Sequence, residues 1–176
     1  MQTGDSIALP DPCLVVLIGA AGAGKSTLAA RLFPAGAILS SDAYRAIVAG
    51  DAADQRATGT AFAILDRELA RRMAARRTTV IDATSVTPFA RRGLLRRATA
   101  HAVPAVAIVL DLDPALVLAR NAARTERVVP EQAVRAQLAA LGRSRAPGAL
   151  EAEGFTTVHR ITTSAQLNAV SLASET

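Results

Sequence analysis

The 176-residue sequence contains no tryptophan, one tyrosine and four phenylalanines, so aromatics are only 3% of the chain. Its core must come from Ala, Val, Leu and Ile. The 51% hydrophobic content supplies enough of these for one full α/β domain and makes a second unlike a chain of this length. The single cysteine, Cys13, excludes an internal disulfide and a multi-cysteine metal site. Its place at the start of an apolar run makes it a small core residue. The two histidines, His101 and His159, fall in different elements without ligand spacing and read as structural. No apolar run reaches membrane-spanning length. The first residues lack the basic start and long apolar stretch of a secretory signal. A cytoplasmic protein without a membrane partner is expected. Lysine is also scarce, since Lys25 is the only one among 20 Lys and Arg residues. The formal charge of +5 suits a polyanionic partner without naming one.

The lone lysine lies in the most informative stretch. Leu14–Ile18 is apolar and β-branched, followed by Gly19-Ala20-Ala21-Gly22-Ala23-Gly24-Lys25-Ser26-Thr27 and a helix-compatible run. This is a complete G-x-x-x-x-G-K-S pattern in its strand–turn–helix context, the arrangement of a P-loop. Its glycines let backbone N–H groups converge on a phosphate, and the helix N-terminus adds its positive dipole end. Lys25 then reaches the β- and γ-phosphates, and Ser26 sits on Mg²⁺. A chain that otherwise uses Arg keeps a compact ammonium where a phosphate lysine is wanted. The plain alternative is a flexible Gly/Ala turn.

Strand and helix patterns alternate along the rest of the chain. Residues 1–12 read as a flexible leader, 13–161 as a P-loop kinase domain and 162–176 as a polar C-terminal tail. Helices are expected at Lys25–Phe33, 42–48, 57–77, Pro88–Ala100, from Pro114, and at Glu131–Leu141. Strands are expected at 14–18, 37–39, 78–82, 103–110 and 155–161. The fold class is α/β: a single domain with a parallel β-sheet flanked by helices on both faces and the site at the carboxyl-end loops. The helix at 57–77 buries Ala61, Ile64, Leu65, Leu69 and Met73. Arg67, Arg71 and Arg72 face outward, as do Arg91, Arg92, Arg96 and Arg97 of the next helix.

Three further groups could carry chemistry. Asp82 ends an apolar strand, where a P-loop enzyme keeps a carboxylate for Mg²⁺; it could equally be a strand cap. Asp42 follows the second predicted strand, beside the P-loop, where a carboxylate can deprotonate an alcohol attacking the γ-phosphate. Arg45, one turn on, could meet an anionic group. The alternatives are an N-cap and a solvated arginine. Arg120 and Arg124, at i and i+4, could project from one helix face over ATP and spread the charge of the transferring group, or simply be solvated. Asp111-Leu112-Asp113-Pro114 resembles a phosphatase nucleophile motif only superficially, because Pro114 and Ala115 interrupt it.

The ordered set Ser40-Ser41-Asp42-x-x-Arg45, Asp54-Gln55 through Thr58-Gly59-x-Ala61-Phe62, Val80-Ile81-Asp82-Ala83-Thr84 and Arg120-Asn121-x-x-Arg124-Thr125-x-Arg127 resembles the kinase domain of bacterial polynucleotide kinase-phosphatase, an RNA-repair enzyme. The resemblance spans roughly Leu14 to Arg160. It implies ATP and Mg²⁺ as cofactors and transfer of the γ-phosphate to the 5′-hydroxyl end of RNA or DNA. By position, it implies a nucleotide cradle of residues 19–27, Lys25 on phosphate, Ser26 and Asp82 on metal, Asp42 as general base, Arg45 on the acceptor phosphate, and Arg120 and Arg124 as a lid clamp. Ser85 stands where that family often has Asn. The phosphatase and ligase domains that accompany such kinases have no counterpart in these residues. A small-molecule kinase acting on a sugar or antibiotic hydroxyl therefore stays open, as does a nucleotide switch without an acceptor.

Overall fold

A computed structural model describes residues 6–49, 58–125 and 127–173. Its central sheet has five strands, β2 (Leu14–Ile18), β3 (Ile38–Ser40), β4 (Thr79–Asp82), β5 (Ala105–Leu110) and β6 (Thr157–Ile161). Their order is β3-β4-β2-β5-β6, and every pair is parallel. The two central runs, Leu-Val-Val-Leu-Ile and Ala-Val-Ala-Ile-Val-Leu, are buried along their whole length, which explains why neither alternates with polar residues. Val15 and Leu17 enter the core on one face, with Leu28, Val117 and Val134. Leu14, Val16 and Ile18 enter the other, with Leu65, Leu69, Met73 and Leu95. The alternation follows from the two-residue period of a strand, and helices cover both faces.

The helices are α1 (Lys25–Leu32), α2 (Ser41–Ala49), α3 (Thr58–Ala74), α4 (Pro88–Ala100), α5 (Pro114–Ala122), α6 (Glu131–Gly142), α7 (Ala149–Glu153) and α8 (Ser164–Ala169). Pro88 and Pro114 stand at helix starts, capped by the Thr87 hydroxyl and the Asp113 carboxylate. None of these helices is long and apolar enough to cross a membrane. From β2 the chain builds β3 and β4 on one side and β5 and β6 on the other. The sheet therefore changes direction at β2, and a crevice opens at its carboxyl end.

Several expectations need correction. The residues assigned to leader and tail are tied together: β1 (Ser6–Ile7) and β7 (Ser171–Leu172) form a second, parallel sheet. Between them α8 starts with a complete capping box, Thr163 to Gln166, and buries Leu167. Arg31 of α1 donates to the carbonyls of Leu167 and Val170 at 2.5 and 2.7 Å. The second sheet strand runs 38–40, after a 3₁₀ turn at 35–37, and α2 and α3 differ from their expected bounds by one to three residues. The loop expected at 50–54 lies outside the described residues. Arg91 is not outward. It is fully buried, donating to both Glu153 oxygens at 2.7 and 2.6 Å, to the Ser85 carbonyl at 2.8 Å and to the Ser144 hydroxyl at 3.2 Å. Arg91, Leu95 and Ala98 share the buried stripe of α4 at helical spacing. Four hydrogen bonds, to a carboxylate, a carbonyl and a hydroxyl, make that burial tolerable.

Candidate active site

The turn from β2 to α1 is a cradle whose shape demands glycine. Gly22 and Gly24 have φ of +87° and +99°. A Cβ on Gly22 would lie 2.5 Å from the Val117 carbonyl oxygen of α5, which packs directly against the loop. Gly19, Ala20 and Ala23 are buried behind the cradle, and Ser26 and Thr27 are exposed on the first turn of α1. The Lys25 side chain is buried and folds back, donating from Nζ to the carbonyls of Gly19 at 2.8 Å and Ala20 at 2.9 Å. Burial pushes its pKa down to about 8, Asp82 holds it up, and Arg124 adds a smaller downward push. An ammonium so desolvated is poised to gain from an arriving polyanion.

Two cavities meet at this cradle. One, of about 290 Å³, is lined by Gly22, Gly24, Thr27, Arg31, Arg120 and Arg124 with Leu167 and Asn168 of the C-terminal segment. The other, of about 920 Å³, has Lys25, Ser26, Asp42, Asp82, Arg124 and Arg127 in its wall. Register explains the second. Ser40 of β3 lies opposite Asp82 of β4, so the carboxyl ends of both strands deliver Asp82 and, two residues past Ser40, Asp42 to the same crevice. Asp42 sits in the first turn of α2 and pairs with the Arg127 guanidinium across the cleft. The far wall is apolar, with Phe62, Leu65, Val86, Phe89 and Leu94. Two of only four phenylalanines stand there, 45% and 83% exposed.

The structure thus brings Lys25, Ser26, Asp42, Asp82 and Arg124 to one cleft. Arg120 lines the smaller cavity and donates to the Ser164 hydroxyl at 3.2 Å, so the two predicted clamp arginines divide, with Arg124 at the junction. They do not share a helix: α5 ends at Ala122. The buried Asn121 then pins the returning chain, donating to the Val129 carbonyl at 2.7 Å and accepting from its N–H at 3.2 Å. Arg45 belongs to α2, and its side chain lies outside the described residues, as does the Asp54-Gln55 part of the predicted motif.

Sequence reasoning did not single out Arg127 beyond its motif, nor Gln137 of α6, whose Oε1 accepts from the Ala21 N–H at 2.8 Å. It also missed the C-terminal wall of the smaller cavity. The Thr163-x-x-Gln166 capping pattern was the available signal for that wall. Among the described residues no cluster of three or more His, Cys, Asp or Glu could hold a metal alone. Mg²⁺ does not need one, since it takes one or two protein oxygens and completes its shell with phosphate and water. The Ser26 hydroxyl and Asp82 carboxylate are such hard donors in one cleft, and they fit.

A family model described as an AAA domain matches residues 14–147. No curated protein sequence matches the chain. Among solved structures, the chain is similar to one in the Pnkp1/Rnl/Hen1 RNA repair complex, with 20% identity and a TM-score of 0.66. That match covers 78% of this chain and 46% of the other. It is also similar to a gluconokinase from Sinorhizobium meliloti, with 17% identity, 91% and 87% coverage and a TM-score of 0.55. A shikimate kinase from Acinetobacter baumannii, in complex with shikimate, has 20% identity, 89% and 88% coverage and a TM-score of 0.52. Identities this low establish the fold, which is that of a P-loop kinase.

Proposed function

The chain belongs to the AAA domain family, and from that footing we propose that it is an ATP-dependent phosphotransferase whose acceptor is the 5′-hydroxyl end of RNA or DNA. The observation that carries the reading is a carboxylate and a phosphate cradle in the walls of one cleft, with a second cavity behind the cradle for the nucleoside. The acceptor oxygen bonds to the γ-phosphorus as the bond to the β,γ-bridging oxygen breaks. ADP leaves with that electron pair, and the hydroxyl proton passes to Asp42. Lys25 and Arg124 border the transferring group and offset its charge. Arg127 pairs with Asp42 and meets the acceptor's phosphate. Arg45 is a second candidate for that contact, and Arg120 faces the nucleoside side. Ser26 and Asp82 would hold Mg²⁺, which neutralises phosphate charge when bound.

The acceptor class is argued from the cleft walls. Exposed Phe62 and Phe89 offer flat apolar faces, and Arg124 and Arg127 offer cations, a pairing suited to a base and its phosphate. The second reading, a small-molecule alcohol kinase, is favoured by the same fold in a gluconokinase and a shikimate kinase. The test is incubation with Mg²⁺, γ-labelled ATP and a 5′-hydroxyl oligonucleotide beside a panel of small alcohols. Label on the oligonucleotide supports the proposal; label only on a small alcohol replaces it with the second reading. ATP hydrolysis without transfer, unchanged in Asp42→Ala, overturns both in favour of a nucleotide switch.

A further inference from the structure

We propose that Gln137 is a positioning residue that holds the γ-phosphoryl group, its amide oxygen anchored to the P-loop and its amide NH₂ offered to the triphosphate. The inference rests on the phosphotransfer reading and goes beyond it, since Gln137 lies 116 residues from its P-loop partner and belongs to no P-loop motif.

The orientation of the amide follows from chemistry. The Ala21 N–H can only donate, so the Gln137 atom 2.8 Å from its nitrogen must be the oxygen. The NH₂ on the same planar group is then left as a donor. Gln137 lines the 920 Å³ cleft together with Ala21, Lys25, Ser26 and Arg124. The side chain is half-buried, on a helix anchored by Val134, Ala140 and Leu141. Its geometry is therefore fixed before nucleotide arrives, which is what a donor aimed at developing charge requires.

Residue choice supports the same conclusion. Arginine is this chain's usual cation, yet arginine or lysine at 137 could not accept the Ala21 N–H. Glutamate could accept it, but would offer no donor and would set a negative charge against a phosphate. Of the long side chains compared, the amide alone accepts from the cradle and still donates to its contents. Through Gln137, α6, the helix that follows Arg124 and Arg127 in the chain, is bonded to the P-loop.

The test compares ATP and ADP affinities by displacement of a fluorescent ADP from the full chain and its Gln137→Glu and Gln137→Leu variants. Gln137→Glu keeps the acceptor for Ala21 and should melt as the wild type does. It should weaken ATP by roughly ten- to a hundredfold, the worth of a hydrogen bond to a charged group, with the added repulsion on top, and weaken ADP far less. Gln137→Leu should weaken ATP less than Gln137→Glu, because it adds no repulsion. A purely structural role would move ATP and ADP together; that result, or unchanged ATP affinity in Gln137→Glu, overturns the inference and leaves phosphotransfer standing. A wild type that binds neither nucleotide overturns both.

Discussion

The Arg91 network makes a prediction whose sign depends on which charge is left behind. Arg91 is fully buried, whereas the Glu153 side chain it grips is 23% exposed. Glu153→Ala strands a guanidinium where water cannot reach it, and losing one partner of a buried pair costs about 3–5 kcal/mol. For a chain of this size that lowers the melting midpoint by roughly 6–20 °C, taking about 2–4 °C per kcal/mol. Arg91→Met keeps much of the side-chain volume and leaves a carboxylate that water reaches. It loses the bonds to the Ser85 carbonyl and Ser144 hydroxyl and should cost about 1–3 kcal/mol. The double variant should be more stable than Glu153→Ala alone, because the stranded charge is gone. Urea unfolding of the four proteins, with equal denaturant slopes, measures all three terms. A larger loss from Arg91→Met than from Glu153→Ala, or strictly additive losses, refutes this reasoning. Ser85 also lines the large cleft, so Arg91→Met should raise the acceptor KM and leave ATP binding unchanged.

Lys25→Met removes a buried ammonium whose pKa burial has pushed down to about 8. Its melting midpoint without nucleotide should equal or exceed that of the wild type, and ATP should no longer raise it. Saturating ATP, at about a hundred times Kd, should stabilise the wild type by about 2.7 kcal/mol. A markedly lower midpoint without nucleotide contradicts the account. His159 supplies a pH dependence. Burial lowers its pKa, and its Nε2 has no hydrogen-bond partner among the described residues. The unfolded imidazole takes a proton near about pH 6.5, so the unfolded state binds more protons below that value. Stability is held above it and lost as pH falls towards the folded pKa. His159→Val should reduce that loss in urea midpoints compared between neutrality and about pH 5; an unchanged pH slope would contradict it.

Much of the fold could be read from the chain because its signals are local. The apolar runs that become β2 and β5 are long enough to need two covered faces, and Thr87-Pro88 and Asp113-Pro114 announce helix starts. The cradle was equally legible, since Gly22, Gly24 and Lys25 are fixed by the turn itself. What escaped depends on distant contacts. Strands of two residues, β1 and β7, have no periodicity to detect and exist only because they pair with each other. Arg91 looked like one more exposed arginine, because its partners Glu153 and Ser144 lie more than fifty residues away. Gln137 is anonymous until α6 is laid against the P-loop. Helix α5 ends before Arg124 because Asn121 bonds to Val129, a side-chain contact that helical spacing cannot foresee.

The central claim is that Asp42 serves as the base for an alcohol attacking the triphosphate held beside it. Single-turnover transfer from γ-labelled ATP to a 5′-hydroxyl oligonucleotide, in the wild type and Asp42→Asn, tests it most directly, with ATP affinity measured alongside. A loss of about 10²- to 10⁴-fold in transfer with ATP affinity preserved is the predicted result. Transfer at the wild-type rate in Asp42→Asn would contradict it.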